Sequence, residues 1–567
     1  MKHRPAKIFP DDFTRIVRVS RGFTARSQRS GRSREDQRDE ERLPNLSGRG
    51  KEASRVGGTD GVSPRVDAER RLRLINPNIV GGGFSALSAK LVSQVAQLSA
   101  FVIAARVLTP TEFGFFAFTS AVAIFLVVLA EGGWAEFIMK SPAGEEHLDQ
   151  VTTISLASGL LFTALGLGVA GILYEAFDQV MEASLLALFS CLALPSAMTT
   201  TYDGALVHRG RLHSQAIIRI TAEAAGLALI VFGLFKGWNV FALVAGRLAM
   251  QLVLLCGSIL AVGWIRPVAP TRIVRREVLL FSQHIVANRL IVFLRSYSGT
   301  LAVGSFLGLA EAGYYRAAER IVAALYELVG EPMRMLAWIV FRRARDREDS
   351  EAGKDDEMRK TGNTLFPLLL AVAAPVFVGL GLVADGFVDL VLGEAWAPAA
   401  MVVSILAVKQ LLMASGCMTE PLLSIKGNIR KMAPVGLANS LVLIGLIVVL
   451  APFGLLPLAY GQVLAAAVVL ATLIWLQGRY GGLDWYGIAR GSGFVPLAVA
   501  GMIGAIYALG QAIDLSTLAP WVALALRAAA GGTGYLLVLL LLRRLATGMF
   551  PVLGMTAITY THDTAAR

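Results

Sequence analysis

The sequence predicts an all-α polytopic membrane protein of about 14 transmembrane helices: two pseudo-symmetric six-helix lobes around a central cavity, plus two extra C-terminal helices. Three observations predict it. About fourteen long apolar stretches fill the chain from Ile79 onward, joined by short loops. Hydrophobic residues make up 55% and charged residues 17%, with a mean hydropathy of +0.60, too apolar for a soluble 60.5 kDa surface. Finally, short sequence matches recur in the same order in the two halves.

Taken in order, residues 1–78 come first and hold about 19 Lys/Arg against 11 Asp/Glu. So few apolar side chains cannot offset the entropy of ordering, and a disordered basic cytoplasmic tail is predicted. Three readings stand open for the cluster Arg70, Arg71 and Arg73 just before the first span: contact with anionic headgroups, binding of a regulator, or the plain solvated tail that such charge runs usually form. Spans are predicted at about 80–105, 114–138, 150–173, 183–205, 216–235 and 239–263, forming an N-lobe over 79–265. A cytoplasmic linker follows over 266–284. The C-lobe, 285–478, has spans at about 285–307, 314–340, 361–384, 398–416, 434–452 and 456–477. Residues 479–567 add spans at about 493–512 and 520–542 and a short tail. Each span is near the roughly 20 residues needed to cross hydrocarbon.

Loop charge sets the expected orientation. With the N-terminus inside, about 21 loop Lys/Arg fall on the cytoplasmic face, among them Lys140, Arg209, Arg272, Arg343, Lys426 and Arg479. Only Arg106 and Lys236 fall outside, where Glu175, Asp178, Asp385 and Glu394 collect instead. The bias predicts cytoplasmic N- and C-termini.

Leu108, Glu112, Gly114, Phe115 and Phe116 parallel Leu307, Glu311, Gly313, Tyr314 and Tyr315 at the turn between the first two spans of each half. Asp203 with Arg209-Gly210 matches Glu420 with Lys426-Gly427, and Gly246-Arg247 matches Gly461-Gln462. Six spans per half preserve orientation, so the halves should be related by a pseudo-two-fold along the membrane normal, with a cavity between them.

Ionisable residues within spans are costly and normally face water or one another. Arg219, Arg247, Arg295, Arg316, Arg320 and Lys409 are read as lining the cavity, where a cationic surface suits an anionic cargo and guanidinium suits phosphate oxygens. Lys90, Glu223, Glu319 and Glu327 are further charges within spans. Arg334, Arg289 and His284 are read as interhelical pairs or snorkelling groups. Tyr202 and Tyr297 are candidates for stacking on sugar faces. Tyr314 and Tyr315, with Trp134, Trp238 and Trp521, are expected at the membrane interface.

Cys191, Cys256 and Cys417 sit in apolar stretches as small hydrophobes, and the scattered histidines imply no metal site. There is no phosphate-binding GxxxxGK[ST] loop, no loop large enough for a catalytic domain, no sign of a cofactor and nothing that suggests nucleic acid. The chain therefore reads as working within the bilayer and not as an enzyme.

The stretch Arg106-Val-Leu-Thr-Pro-Thr-Glu-Phe-Gly-Phe-Phe116 resembles the signature that closes the first span in Wzx-type oligosaccharide flippases. These belong to the multidrug/oligosaccharidyl-lipid/polysaccharide (MOP) exporter superfamily. Tyr314-Tyr315-Arg316-Ala-Ala-Glu319-Arg320 resembles the segment opening their second lobe, and Asp203 to Arg209 resembles their cytoplasmic loop. The resemblance spans about residues 79–490; the long basic tail departs from it. It implies alternating access, with an undecaprenyl-diphosphate-linked oligosaccharide as cargo, for exopolysaccharide, capsule or O-antigen. It also implies a bacterial inner-membrane location, membrane lipids as partners, and a polysaccharide polymerase and co-polymerase beside it. The charges themselves leave rivals open: a cation-coupled drug antiporter, which would want an isolated buried acid, a glycan polymerase, or a non-transport membrane partner.

Overall fold

The computed structural model describes residues 77–140, 145–347 and 350–545. The tail expected over residues 1–78 lies outside these except for its last two residues, which open the first helix; the side chains of Arg543 and Arg544 also lie outside. Among the described residues the structure is helical, with no strand.

The first lobe contains α1 (Pro77–Val107), α2 (Pro110–Glu131), α3 (Trp134–Lys140), α4 (Leu148–Phe177), α5 (Val180–Ser190), α6 (Ala193–His208), α7 (Leu212–Phe235) and α8 (Val240–Val262). The second contains α9 (Arg272–Phe306), α10 (Leu309–Asp346), α11 (Glu351–Leu382), α12 (Ala384–Val391), α13 (Ala397–Met413), α14 (Thr419–Ile425), α15 (Met432–Leu450) and α16 (Leu455–Gly481). The appendage is α17 (Trp485–Gly491), α18 (Phe494–Ala512) and α19 (Pro520–Leu545).

Among the described residues, twelve helices are long and apolar enough to cross a membrane. The other two spans expected from sequence are α1, apolar over Val92–Val107, and α10. Although α10 runs for 38 residues, it carries Arg316, Glu319, Arg320, Glu327, Glu331 and Arg334, which lower its mean hydropathy. Its charges make sense only where protein and water, not lipid, surround it.

Local chemistry sets the boundaries. Thr109 and Glu112 form a reciprocal capping box at the start of α2, with Pro110 in the first turn. Gly132 (φ 53) and Gly133 (φ 84) then break the helix, a left-handed backbone that suits residues without Cβ, and α3 restarts at Trp134. Trp134, expected at the interface, is instead buried at this break, its indole donating to the Ala130 carbonyl at 3.0 Å.

Within the first lobe α7 packs along α8 and α1, and α4 along α6; within the second, α10 packs against α11 and α13, and α16 against α13 and α15. The α6–α7 and α14–α15 turns have the same build. Gly210 (φ 69) and Gly427 (φ 73) take left-handed backbone, and the next amides, of Arg211 and Asn428, reach back to the Leu206 and Leu423 carbonyls at 2.8 and 2.7 Å. The repeat read from Arg209-Gly210 and Lys426-Gly427 is thus a repeat of structure.

The lobes meet chiefly where α2 packs on α10 and α9. A Cβ on Gly114 would run into the Leu309 carbonyl oxygen, and one on Gly313 into the Pro110 carbonyl oxygen. The two glycines of the duplicated signature therefore lie against each other's helix. At the same end Arg106 donates to the Val391 carbonyl at 2.8 Å and to that of Leu390, and the Trp396 indole to Ala105 at 2.8 Å. These bonds join the two lobes at the acid-rich end. At the opposite, basic end Arg209 donates to Glu145 at 2.7 Å and to the Val262 carbonyl that ends α8 at 3.1 Å, and Lys426 pairs with Asp355 at 2.8 Å.

Candidate functional site: a cationic cavity between the lobes

Helices α1, α2, α7 and α8 of the first lobe wall a cavity of about 360 Å³, and Tyr297 of α9 with Arg316 and Arg320 of α10 join its lining from the second lobe. Its lining is apolar at Phe101, Phe113, Phe116, Ile230 and Leu243, and polar or charged at Gln97, Glu223, Arg247, Tyr297, Arg316 and Arg320. Close helix packing makes the space: Gly226 and Gly246 let α7 and α8 approach until each glycine's Cβ position abuts the other's carbonyl.

Arg316 stands over the Tyr297 ring, guanidinium carbon to centroid 4.9 Å, and donates to Glu319 at 3.2 Å, one turn on. Such a contact with the ring face is worth about 1 kcal/mol and aligns the planar guanidinium. Arg320 donates to the Gln97 amide oxygen at 3.2 Å, and Gln97 in turn donates to Glu223 at 3.1 Å. Arg247 and Arg320 form no ion pair among the described residues. Three arginines thus converge on one space, and one of them has a carboxylate within ion-pair distance.

Of the eight side chains expected at the site, the cavity gathers Arg247, Arg316, Arg320 and Tyr297. Lys409 is not among its lining residues: it lies behind α10, its ammonium donating to the Gln462 amide oxygen at 2.6 Å. Arg295 is exposed, within electrostatic reach of Lys409 and Tyr326. Arg219 is exposed on α7 near Asp203 and is not among the lining residues. Tyr202 requires correction: it is fully buried beneath Ile265, whose amide donates to its hydroxyl at 3.3 Å, so its ring face is not open to a sugar. Tyr315, expected at the interface, is 1% exposed and its hydroxyl joins a buried network.

Gln97 is not marked out in the sequence, because a neutral amide within a span carries no formal charge to signal it. Nor are Glu131 and Glu136, which clamp Arg289 of α9 at 2.8 and 2.7 Å across the α2–α3 break. Arg289 and Arg334 are indeed paired, the latter with Glu331 at 2.7 Å and Glu420 at 3.4 Å.

The two-lobed helical fold is shared with two solved membrane proteins. The backbone superimposes on lipid II flippase MurJ in an inward closed conformation with TM-score 0.61 at 13% identity, covering 81% of this chain and 98% of that one. An inward-facing multidrug resistance MATE family transporter gives TM-score 0.52 at 14% identity, covering 70% and 98%. Residues 103–401, more than half of the chain, match the family described as "Polysaccharide biosynthesis protein", and the chain belongs to that family. The succinoglycan biosynthesis transport protein ExoT of Rhizobium meliloti (strain 1021) is 26% identical over 313 residues, 54% of this chain and 61% of that protein. Teichuronic acid biosynthesis protein TuaB of Bacillus subtilis (strain 168) is 21% identical over 332 residues, 58% of this chain and 67% of that protein. The match thus spans less than two thirds of ExoT.

Proposed function

We propose that the chain flips undecaprenyl-diphosphate-linked oligosaccharide repeat units across the bacterial inner membrane, with both termini cytoplasmic, to supply polysaccharide synthesis. One observation carries the reading: Arg316 and Arg320 from the second lobe and Arg247 from the first share one cavity. A diphosphate presents several anionic oxygens in a small volume, and guanidinium forks match that geometry. In hydrocarbon each unsatisfied polar group costs several kcal/mol, and a charge more; a hydrated, cationic passage removes most of that barrier. The relatives' names, a succinoglycan transport protein and a teichuronic acid biosynthesis protein, support a glycan cargo. At about 360 Å³ the cavity is near the low end for small-molecule sites. A glycan of several sugars therefore needs the lobes to part at one end, as alternating access requires.

In this reading Arg316 and Arg320 hold the diphosphate and Arg247 completes the clamp from the opposite lobe. Tyr297 keeps Arg316 aimed into the space. The partners are the surrounding lipids and, next in sequence, the polymerase and co-polymerase that consume the exported unit. The test is uptake of labelled lipid-diphosphate-glycan by proteoliposomes. Arg316→Ala with Arg320→Ala should abolish uptake while the protein remains folded in the membrane; full uptake by that double variant refutes the assignment.

A further inference from the structure

We infer that Lys409, Gln462 and Tyr315 form a positioning relay acting through Glu319, so that Glu319 is an internal counter-ion for Arg316 that a diphosphate ligand displaces. The inference rests on the anion-binding part of the reading above.

The relay is continuous. The Lys409 ammonium donates to Gln462 Oε1 at 2.6 Å, Gln462 Nε2 donates to the Tyr315 hydroxyl at 2.6 Å, and that hydroxyl donates to Glu319 Oε1 at 2.7 Å. The other oxygen, Glu319 Oε2, accepts from Arg316 at 3.2 Å. Tyr315 and Gln462 are each 1% exposed. Polar groups buried this deeply are tolerated when every donor and acceptor is used, and a lobe built for packing alone would place apolar side chains there. Each donor direction is dictated by the one before it: an ammonium only donates, so the amide oxygen must face it and the amide nitrogen must face the tyrosine.

Charge gives the relay its purpose. Lys409 forms no ion pair among the described residues; its hydrogen-bond partner is a neutral amide, and Glu319 is the carboxylate within its electrostatic reach. One carboxylate therefore serves two cations, Arg316 by direct contact and Lys409 through two side chains. In the empty cavity Glu319 holds Arg316 and neutralises it. When phosphate oxygens take Arg316, Glu319 loses a partner but keeps the Tyr315 hydroxyl and the field of Lys409. It is not left as an uncompensated buried charge, the state that makes breaking such pairs unfavourable. Lys409 thus lowers the barrier to the exchange without touching the ligand.

The repeat supports this division of labour. Gln462 occupies the position that Arg247 holds in the first lobe, each directly after a helix glycine. In the first lobe that position lines the cavity; in the second it links Lys409 to Tyr315.

The test is a double-mutant cycle read as binding of inorganic pyrophosphate to the purified full-length protein in detergent, by calorimetry. Lys409→Met should weaken binding at least fivefold, because Glu319 then clings to Arg316. Glu319→Gln should tighten binding, because the competing carboxylate is gone. The double variant should bind as Glu319→Gln alone, since Lys409 acts only through Glu319. Lys409→Arg, which keeps a cation able to reach Gln462, should restore wild-type affinity. Should Lys409→Met not fold, Lys409→Gln enters the same cycle with the same expectation. Additive effects in the double variant, with the Lys409→Met loss persisting in the Glu319→Gln background, would mean that Lys409 acts on the anion directly; unchanged affinity in Lys409→Met or Lys409→Gln would mean that the network only packs the lobe. Either overturns the relay. Absence of pyrophosphate binding by the wild-type protein would remove the anion site and both readings with it. An intact cycle without glycan uptake leaves the relay standing and refutes only the cargo.

Discussion

Arg219 and Arg316 look alike in the sequence: each lies in a span with an ionisable partner three or four residues on. Their neighbours far along the chain separate them. Arg316 has Tyr297 from α9 beneath it and the cavity before it, whereas Arg219 is exposed near Asp203. The two tyrosines expected to meet sugars divide in the same way. Tyr297→Leu removes the ring under Arg316, a contact of about 1 kcal/mol, so pyrophosphate affinity measured by calorimetry should fall roughly fivefold. Tyr202→Phe leaves the Ile265 amide without its acceptor, and thermal denaturation should register a loss of about 1 kcal/mol while transport per folded molecule is unchanged. Reversal of that pattern, with Tyr202→Phe impairing uptake and Tyr297→Leu leaving affinity intact, would exchange their roles.

At the scale of the helix, the signature from Arg106 to Phe116 does three separate jobs. Arg106 caps the carbonyl end of α12, Thr109 and Glu112 start α2, and Gly114 lets α2 lie on α10. Only the capping box could be derived from local chemistry, because Thr and Glu three residues apart satisfy backbone donors wherever they occur. The need for Gly114 and Gly313 arises from the approach of a helix about 200 residues away in the chain. Gly313→Ala places a methyl group on the Pro110 carbonyl, and backbone cannot yield as a flexible side chain does. That variant should part the lobes at the acid-rich end. A cysteine pair replacing Ala105 and Trp396 should then cross-link much less than in the parent, and equal cross-linking would show that the junction there does not depend on this contact.

For the whole molecule, two cations bridge the lobes by ion pairs at matching positions among the described residues. Lys90 and Arg289 each stand eighteen residues before the signature leucines Leu108 and Leu307. Lys90 reaches Glu331 on α10 at 3.4 Å; Arg289 reaches Glu131 and Glu136 on α2 and α3 at 2.8 and 2.7 Å. The pairs are unequal. Lys90 and Glu331 are 49% and 39% exposed, while Arg289 is 25% exposed and holds two carboxylates, one of them also bound by Ser196. Exposed pairs contribute little, and removing one partner of an enclosed cluster leaves charge uncompensated. Arg289→Ala should therefore lower the thermal midpoint of the purified protein by several degrees, and Lys90→Ala by no more than one or two. Equal losses would mean that the two seams between lobes are held alike.

The sequence by itself determined the membrane class, nearly all the spans and the duplication. Hydropathy depends on residues close together in the chain, and a repeat is visible without folding. It also marked α10 as the charged helix and named Arg247, Arg316 and Arg320. Only the tertiary structure decided which buried charges face one another: that Lys409 stands behind Arg316 at the end of a hydrogen-bonded chain, that Tyr202 is enclosed, and that Gly114 meets the opposite lobe. Those outcomes turn on helix rotation and on contacts between the two halves, which set the direction of each side chain and leave no periodic trace along the chain.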